Sequence, residues 1–447
     1  FGVVAHSHLH DGRLMVLRFA KILTYTVALE PEPTARGQNV SPSFQMNKRD
    51  KRRCKCCAAC IGFLVIFGIV FFGFFCPDHV CALTEGNPIP QYKNRLEAYL
   101  QGKIIHENFD KDDIERDYDF DLEGEDVLVF LHMQKTGGST FGRHLVKNLH
   151  LPTAPCHCVR GRKRCDCKNS SKHLWLFSRF SVGWPCGLHA DWTELHSCVP
   201  EEMNRKEKHE RRRRYFRYLY ITILRDPLER YLSEWKHVQR GATWKAATLK
   251  CNGREATLDE VPFCFEGTNW RGVSLSEFMS CDANLANNRM TRMLANLSLV
   301  GCYNHSAMPP DQRNKVLIES AKENLKSMAY FGLTEFQRDT QYLFERTFGL
   351  TFNKLFEQWE NTRARAINLT EKERQAVIKR NELDIELYQF AKDLFFQRLQ
   401  KWRTEEGLAG NVTVAVKKQP DSDSSQQLPQ NHVKSKENDD EDFDDKT

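Results

Sequence analysis

Short apolar runs that end in polar turns alternate with stretches of helical spacing along most of this chain. Residues 127–131, 218–224 and 330–333 are mostly apolar runs of strand length, and such runs are typical of strands buried on both faces of a parallel sheet. Helical spacing of apolar residues follows the first run over residues 141–149 and the third over residues 335–348. The pattern predicts an α/β fold in which helices flank a central, mainly parallel sheet, with the functional site at the carboxyl ends of the strands.

A later helix is predicted from the sequence Thr370-Glu371-Lys372-Glu373, which is a capping box. The apolar residues of this single predicted helix share one face and are Leu383, Leu387, Phe390, Leu394 and Phe395. Such a stripe indicates packing against the core rather than a cofactor site.

An apolar run of a different kind lies nearer the start of the chain. Residues 58–76 carry no charge and are just long enough for a membrane-spanning helix. The basic cluster at residues 48–55 keeps that flank cytosolic, so we predict a single transmembrane anchor with residues 1–57 in the cytosol. A cleaved signal peptide is the alternative, and the length of the run favours the anchor. Met46 precedes the basic cluster, so residues 1–45 need not belong to the mature protein.

The polar segments predict the limits of the globular domain. Residues 77–117 are polar, and we predict that they form a stem. We predict a lumenal domain over residues 118–410 and a disordered acidic tail over residues 411–447. The net charge is +6 despite that tail, so the folded part is more basic than the total. A basic surface suits a polyanionic partner, and charge alone does not choose among nucleic acid, membrane and acidic polysaccharide.

Sixteen cysteines are many for a protein of a reducing compartment. Ten of them follow the predicted anchor at some distance, and this even number predicts disulfides. The alternative is a four-thiolate zinc site, whose one-residue spacing within each pair is poorer than Cys-x-x-Cys; its ligands would be Cys156, Cys158, Cys165 and Cys167. Sequons for N-glycosylation agree with a secretory lumen, and they begin at Asn169, Asn296, Asn304, Asn368 and Asn411.

The strand–turn–helix at residues 127–149 predicts an anion site. Its turn, Lys135-Thr136-Gly137-Gly138-Ser139-Thr140, places backbone N–H groups and one ammonium around a point where a phosphate or sulfate can bind. The lysine precedes the glycines, whereas it follows them in the consensus loop of ATPases and GTPases. The turn therefore indicates phosphate-type chemistry outside those two classes; a turn without a ligand is the alternative.

A second anion site is predicted after the strand at residues 218–224. Arg225 stands at the strand end, Pro227 suits the first turn of a helix, and Ser233 follows two turns later. A guanidinium and a hydroxyl suit a second phosphate, so the ligand is expected to carry two separate phosphate groups. A structural pair between Arg225 and Asp226 is the alternative.

Several of these segments resemble the Golgi carbohydrate sulfotransferases, which have a P-loop-like sulfotransferase fold. That resemblance rests on residues 134–140, 224–227 and 231–235. A narrower resemblance, to the heparan-sulfate 6-O-sulfotransferases, rests on residues 177–181, 186–192, 237–244, 284–289 and 331–338. The likeness runs from about residue 118 to residue 400 and leaves out the stem and the tail.

The resemblance implies transfer of a sulfuryl group from 3′-phosphoadenosine 5′-phosphosulfate to the 6-hydroxyl of glucosamine in heparan sulfate, in the Golgi lumen, by a type II membrane protein. It implies that Lys135 neutralises the leaving phosphate. The family's donor-binding positions correspond here to His132, Met133, Gln134, Lys135, Thr136, Gly137, Gly138, Ser139, Thr140, Arg225, Ser233, Glu357, Gln358, Trp359, Arg363 and Ala364. The family needs no metal, and no nucleic acid partner is expected.

The resemblance makes His189 the general base, because a neutral imidazole can take the proton of a sugar hydroxyl. The acceptor sugar is expected to meet basic and aromatic side chains, namely Lys163, Arg164, Arg179, Trp184, His189, His237 and Trp244. Three alternatives remain: a sulfotransferase for another glycosaminoglycan position, a catalytically silent heparan-sulfate-binding protein, and a nucleotide kinase, which the order of the loop disfavours.

Overall fold

The computed structural model describes residues 90–207, 215–243, 245, 247–358, 362 and 364–407. Its centre is a parallel sheet of four strands, β1 (Asp126–Leu131), β5 (Leu176–Phe177), β6 (Arg217–Leu224) and β9 (Tyr330–Leu333). Their order across the sheet is β5-β1-β6-β9. Every residue of β1, β5 and β9 is buried, which matches the uninterrupted apolar runs. The predicted α/β fold with a central parallel sheet is confirmed.

Helices and short hairpins surround this sheet. The α-helices are α1 (Pro90–Leu100), α2 (Lys111–Ile114), α3 (Gly138–Lys147), α4 (Trp192–Glu207), α5 (Pro227–Gln239), α6 (Leu275–Ser280), α7 (Arg289–Leu294), α8 (Pro310–Ser327), α9 (Gln337–Phe348), α10 (Glu371–Arg380) and α11 (Glu382–Glu405). The short strands form antiparallel pairs of β2 (Leu149–His150) with β10 (Thr351–Phe352), β3 (His157–Cys158) with β4 (Cys165–Asp166), and β7 (Lys250–Cys251) with β8 (Arg254–Glu255).

The capping box at Thr370 is present, but the helix that it starts is shorter than predicted. The Thr370 side chain accepts from the backbone N–H of Glu373, and the Glu373 side chain accepts from the backbone N–H of Thr370. Helix α10 then ends at Arg380. Asn381 leaves the helical conformation, and α11 begins at Glu382. The single helix of the sequence prediction is therefore two helices, because the side-chain amide of Asn381 turns back to donate to the carbonyl of Val377.

The described part of the predicted stem packs on the domain. Helix α1 lies against α11, and Arg95 at 2.6 Å from Glu107 makes a largely buried ion pair. The backbone N–H of Glu107 donates to Asp393 of α11. Residues from 90 onward thus belong to the packed structure rather than to a separate spacer.

The membrane prediction at residues 58–76 and the tail at residues 411–447 lie outside the described residues. No helix in the described ranges combines the length and apolarity needed to cross a membrane.

The ten cysteines that follow the predicted anchor at some distance form five disulfides. Cys156 pairs with Cys167 and Cys158 with Cys165, so these four thiols are disulfides and not zinc ligands. The remaining pairs are Cys186–Cys198, Cys251–Cys302 and Cys264–Cys281.

One predicted sequon is incompatible with the structure. The amide of Asn169 is buried, donates to the carbonyl of Leu122 and accepts from the backbone N–H of His173. A glycan cannot be attached there without breaking these bonds. Asn304 and Asn368 are exposed, and Asn411 lies outside the described residues.

Candidate active site

The predicted anion-binding turn at residues 135–140, called the anion loop from here on, follows directly from the end of β1. The chain leaves the sheet after Leu131, turns at Lys135 with φ of 63°, and enters α3 through Gly137 with φ of 79°. Glycine accepts this left-handed conformation without strain, whereas Lys135 adopts it at a cost. Gly137 has no side chain to cap α3, and the backbone N–H groups at the start of a helix can bind an anion.

A close contact between the helix start and a histidine depends on Gly138. A Cβ atom at this position would lie 2.3 Å from Cδ2 of His132. The His132 ring is buried and stacks against Phe130 and Trp184. Burial lowers the pKa of His132 well below 6.5, and the neighbouring His189, Arg179 and Lys135 lower it further. His132 is therefore a neutral ring in the wall of the site.

The predicted general base, His189, is bound to the same strand end. Its Nδ1 lies 2.9 Å from the backbone oxygen of His132. A carbonyl oxygen only accepts hydrogen bonds, so Nδ1 carries the proton and the neutral ring has its lone pair on Nε2. The His189 backbone has φ of 55°, which bends the chain so that the ring lies 5.0 Å from that of His132, centroid to centroid.

Aromatic and basic residues of the predicted acceptor site surround His189. Trp184 lies 4.7 Å from the His189 ring, and the Arg179 guanidinium lies 5.6 Å from the Trp184 ring. These residues line one cleft together with Phe130 and His132. His237 is buried in the last turn of α5, and Trp244 lies outside the described residues.

The second predicted anion site is at the end of β6, where Arg225 contacts the anion loop. Its Nη1 lies 3.3 Å from the carbonyl oxygen of Lys135 and its Nη2 3.0 Å from Glu229. Asp226 caps α5 by accepting from the backbone N–H of Glu229 at 3.0 Å, and Pro227 begins the helix as predicted. Asp226 thus acts as the N-cap of α5. The alternative given in the sequence analysis expected a structural pair between Arg225 and Asp226, whereas Arg225 forms its ion pair with Glu229.

Two residues to which the sequence assigned no role join these parts. Thr334, after β9, places its hydroxyl 2.6 Å from the carbonyl oxygen of Thr136 and 2.9 Å from that of Leu224, so it ties the anion loop to both neighbouring strands. Glu229 binds Arg225 and also Arg365 at 2.8 Å. Thr334 stands inside a segment that carries the family resemblance, and Glu229 follows Arg225 by one helical turn; these are the signals that could have found them.

The later donor-binding segment is described in part. Gln358 accepts from the backbone N–H of Gln337 and donates to the carbonyl of Thr334, so it lies against the strand end that braces the loop. Glu357 is exposed and Ala364 is buried under α5 in a second apolar cluster. Trp359 and Arg363 lie outside the described residues.

The chemical cleft is not the largest cavity. Two cavities of about 310 and 410 Å³ lie elsewhere, one between α5 and α6 and one beside α7 and α8. The smaller cleft is the candidate site because it contains the predicted base, His189, and residues from the ends of β1 and β5. No group of three or more metal-binding side chains is present in the part of the chain that the structure describes.

The α/β fold, with its strand–turn–helix unit at the end of β1, is the one expected of a sulfotransferase. A family model described as the sulfotransferase family matches residues 118–391, and the chain belongs to this family. Within it the chain belongs to the heparan-sulfate 6-O-sulfotransferases. It is 53% identical to heparan-sulfate 6-O-sulfotransferase 2 of Gallus gallus over 351 residues, which are 77% of this chain and 86% of that protein.

Two further relatives carry the same family name. Identity to heparan-sulfate 6-O-sulfotransferase 2 of Homo sapiens is 50% over 371 residues, covering 82% of this chain and 61% of that protein. Identity to heparan-sulfate 6-O-sulfotransferase 3-B of Danio rerio is 57% over 300 residues, covering 67% of this chain and 71% of that protein. The family resemblance that the sequence motifs indicated is confirmed.

Proposed function

We propose that this protein transfers a sulfuryl group from 3′-phosphoadenosine 5′-phosphosulfate to the 6-hydroxyl of glucosamine in heparan sulfate. The observation that carries the proposal is the hydrogen bond from His189 Nδ1 to the His132 carbonyl. This bond fixes the tautomer of the neutral ring, with the basic lone pair on Nε2 and the proton on Nδ1. An anion loop beside an oriented imidazole suits transfer of a charged group to a hydroxyl.

The loop and Arg225 are suited to the two phosphate-bearing ends of the donor. Buried polar atoms at these strand ends lack a hydrogen-bond partner among the described residues, namely His132 Nδ1, Gln134 Oε1 and Arg225 Nε. Such atoms are costly unless a ligand or water completes them. Lys135, together with the first N–H groups of α3, would hold the 5′-phosphosulfate, and Arg225 with Ser233 the 3′-phosphate.

In the transfer step the sugar hydroxyl oxygen forms a bond to sulfur while the bond from sulfur to the 5′-phosphate oxygen breaks. The hydroxyl proton passes to His189 Nε2, and the leaving group is 3′-phosphoadenosine 5′-phosphate. The protein contributes position and charge: Lys135 stabilises negative charge on the leaving phosphate, and His189 removes the proton. Atoms and charge balance without a metal ion or a redox partner.

The acceptor site combines charge with flat aromatic surface. Arg179 and Trp184 line the cleft beside His189, and the exposed pair Lys163 and Arg164 lies on the neighbouring hairpin. Guanidinium and ammonium groups complement sulfate and carboxylate groups of the polysaccharide, and the indole can stack on a sugar ring. His237 and Trp244 are proposed to complete this site.

We also propose that the protein works in the Golgi lumen as a type II membrane protein. The five disulfides favour an oxidising compartment. The apolar run at residues 58–76 with its basic flank supports the anchor. Protease protection of the globular domain in sealed microsomes would test this topology, and digestion without detergent would contradict it.

The activity is tested by incubating purified protein with radiolabelled donor and desulfated heparin, followed by disaccharide mapping. Label on carbon 6 of glucosamine is the expected result. Label at another position would favour a sulfotransferase of different specificity. Binding of heparin without binding of the donor or its desulfated by-product would favour a catalytically silent binding protein.

A further inference from the structure

The two neighbouring disulfides pin a short β-hairpin with a strongly basic tip. Strands β3 and β4 pair antiparallel, with Cys158 opposite Cys165, and the bridges Cys156–Cys167 and Cys158–Cys165 cross-link them. The turn between them, residues 159–164, has the sequence Val-Arg-Gly-Arg-Lys-Arg and is exposed throughout. Four of these six residues are cationic, so the hairpin holds a dense positive charge on a cross-linked backbone.

The base of this hairpin is attached to the wall of the active-site cleft. The backbone N–H of Cys165 donates to the carbonyl of Phe180 at 2.7 Å, and Nη1 of Arg164 donates to the carbonyl of Val182 at 3.2 Å. Both acceptors lie on the segment between Arg179 and Trp184, which line the cleft. The hairpin and the acceptor site therefore form one continuous surface.

Arg160 and Arg162 lie beyond the residues that the family resemblance assigns to the acceptor. Arg160 is four residues from Arg164, and four extended residues span at most about 14 Å. The tip can thus reach only the sugar units next to the acceptor, not distant parts of a polymer.

Two arginines of this tip, Arg160 and Arg162, are exposed cations. The nearest acidic residue on the hairpin, Asp166, pairs with Lys168 at 3.2 Å, and within the described ranges no carboxylate forms an ion pair with Arg160 or Arg162. A guanidinium binds sulfate or carboxylate oxygens in a bidentate manner. Because the disulfides hold the backbone, little order has to be imposed when an anion binds.

We propose that Arg160 and Arg162 form a second anion-binding site that holds sulfate and carboxylate groups of the polysaccharide flanking the acceptor sugar. This inference rests on the proposed function and deepens it: the hairpin selects acceptor sugars that lie within longer, already charged segments. The site acts on binding of the polymer and leaves the transfer step unchanged.

The test compares the wild type with the variant R160Q/R162Q on two acceptors, a long N-sulfated polymer and a trisaccharide in which the acceptor glucosamine lies between two uncharged sugars. The expected result is a KM for the polymer raised roughly 3- to 10-fold, as for the loss of two exposed ion pairs. The kcat and the KM for the trisaccharide remain within about twofold, which is the scatter expected for a surface change away from the reacting groups. The difference between the two proteins shrinks as salt is added, because exposed charges are screened.

The matched control is K111Q/K315Q, which removes the same charge from exposed positions on α2 and α8. An equal KM for the polymer in R160Q/R162Q and wild type would overturn the inference, and so would an equal rise in K111Q/K315Q. Failure of the proposed function looks different, because the wild type would then transfer no sulfate to either acceptor. Unchanged affinity for 3′-phosphoadenosine 5′-phosphate shows that the variant is folded.

Discussion

The hydroxyl of Tyr99 donates a hydrogen bond of 2.9 Å to Asp226, which lies 127 residues further along the chain. Tyr99 belongs to α1, before the region that matches the family model, whereas Asp226 caps the helix that follows Arg225. The backbone N–H of Asp226 also donates to Glu335, which accepts from Tyr388 of α11 at 2.6 Å. Helix α1 is therefore joined through part-buried hydrogen bonds to the strand ends that bear the proposed donor site.

Tyr99→Phe is expected to weaken donor binding, although Tyr99 is not among the proposed donor-binding residues. The loss of one intramolecular hydrogen bond is worth about 0.5–1.5 kcal/mol, so the Kd for 3′-phosphoadenosine 5′-phosphate should rise about 2- to 10-fold. Isothermal titration measures it. Tyr342→Phe is the matched control, since its hydroxyl bonds to Glu406 at the surface. Equal affinities in wild type and Tyr99→Phe would show that α1 does not position the site.

His189→Asn separates the base from its scaffold. The side-chain amide of asparagine can still donate to the His132 carbonyl, and asparagine tolerates the positive φ at this position. It cannot take the hydroxyl proton, so kcat should fall about 100- to 10,000-fold while affinity for the donor by-product stays near that of the wild type. Retention of wild-type turnover would remove His189 from the role of base.

Lys135→Ala is expected to lower both donor affinity and turnover. A hydrogen bond to a charged group is worth about 1.5–3 kcal/mol, which corresponds to roughly a 10- to 150-fold loss of affinity. Lys135→Arg keeps the charge and the same positive φ, so it controls for backbone strain and should retain most of the binding. If both variants bound the by-product as the wild type does, the anion loop would be assigned wrongly.

Burial of His132 predicts a dependence of stability on pH. The pKa of His132 in the folded protein lies below its ordinary value of 6.5. The part of the folding stability that depends on the neutral ring is therefore fully present above pH 6.5, and it is lost as the pH falls from there toward the folded-state pKa. The slope for one proton is at most about 1.4 kcal/mol per pH unit. Urea unfolding between pH 7 and pH 5 should show this slope in the wild type and a smaller one in His132→Asn. The exposed His157→Asn should behave as the wild type.

A buried charge network beneath α5 predicts a large loss of stability. Glu234 binds Arg230 at 2.5 Å and also Arg289, and all three side chains are buried. Burial raises the pKa of Glu234, but the two guanidinium groups outweigh it and bring the pKa to about 2. Glu234→Ala leaves two buried cations without this partner and should cost about 3–5 kcal/mol in the free energy of unfolding.

The control for this network is Glu202→Ala, whose partner Arg205 is 65% exposed. Its free energy of unfolding should stay near the wild-type value, because exposed ion pairs contribute little. A similar loss in both variants would mean that the α5 network has no special weight.

Local patterns along the chain predicted the strands at residues 127–131 and 330–333, the helix after Pro227 and the capping box at Thr370. They failed where a single residue changed the outcome: Asn381 breaks one predicted helix into two. The stem was predicted from polarity over residues 77–117. From residue 90, however, the chain packs on α11, because Arg95 pairs with Glu386 and the backbone N–H of Glu107 donates to Asp393.

By itself the sequence determined the strand–turn–helix units, the anion loop with its early lysine and the family to which the chain belongs, because these depend on residues that are neighbours along the chain. Only the tertiary structure decided the five cysteine pairs, the bracing of Thr136 by Thr334 and the link from Tyr99 to Asp226. Such contacts join residues up to 198 positions apart. They follow from the order of strands in the sheet and the packing of helices on it, which short-range periodicity does not encode.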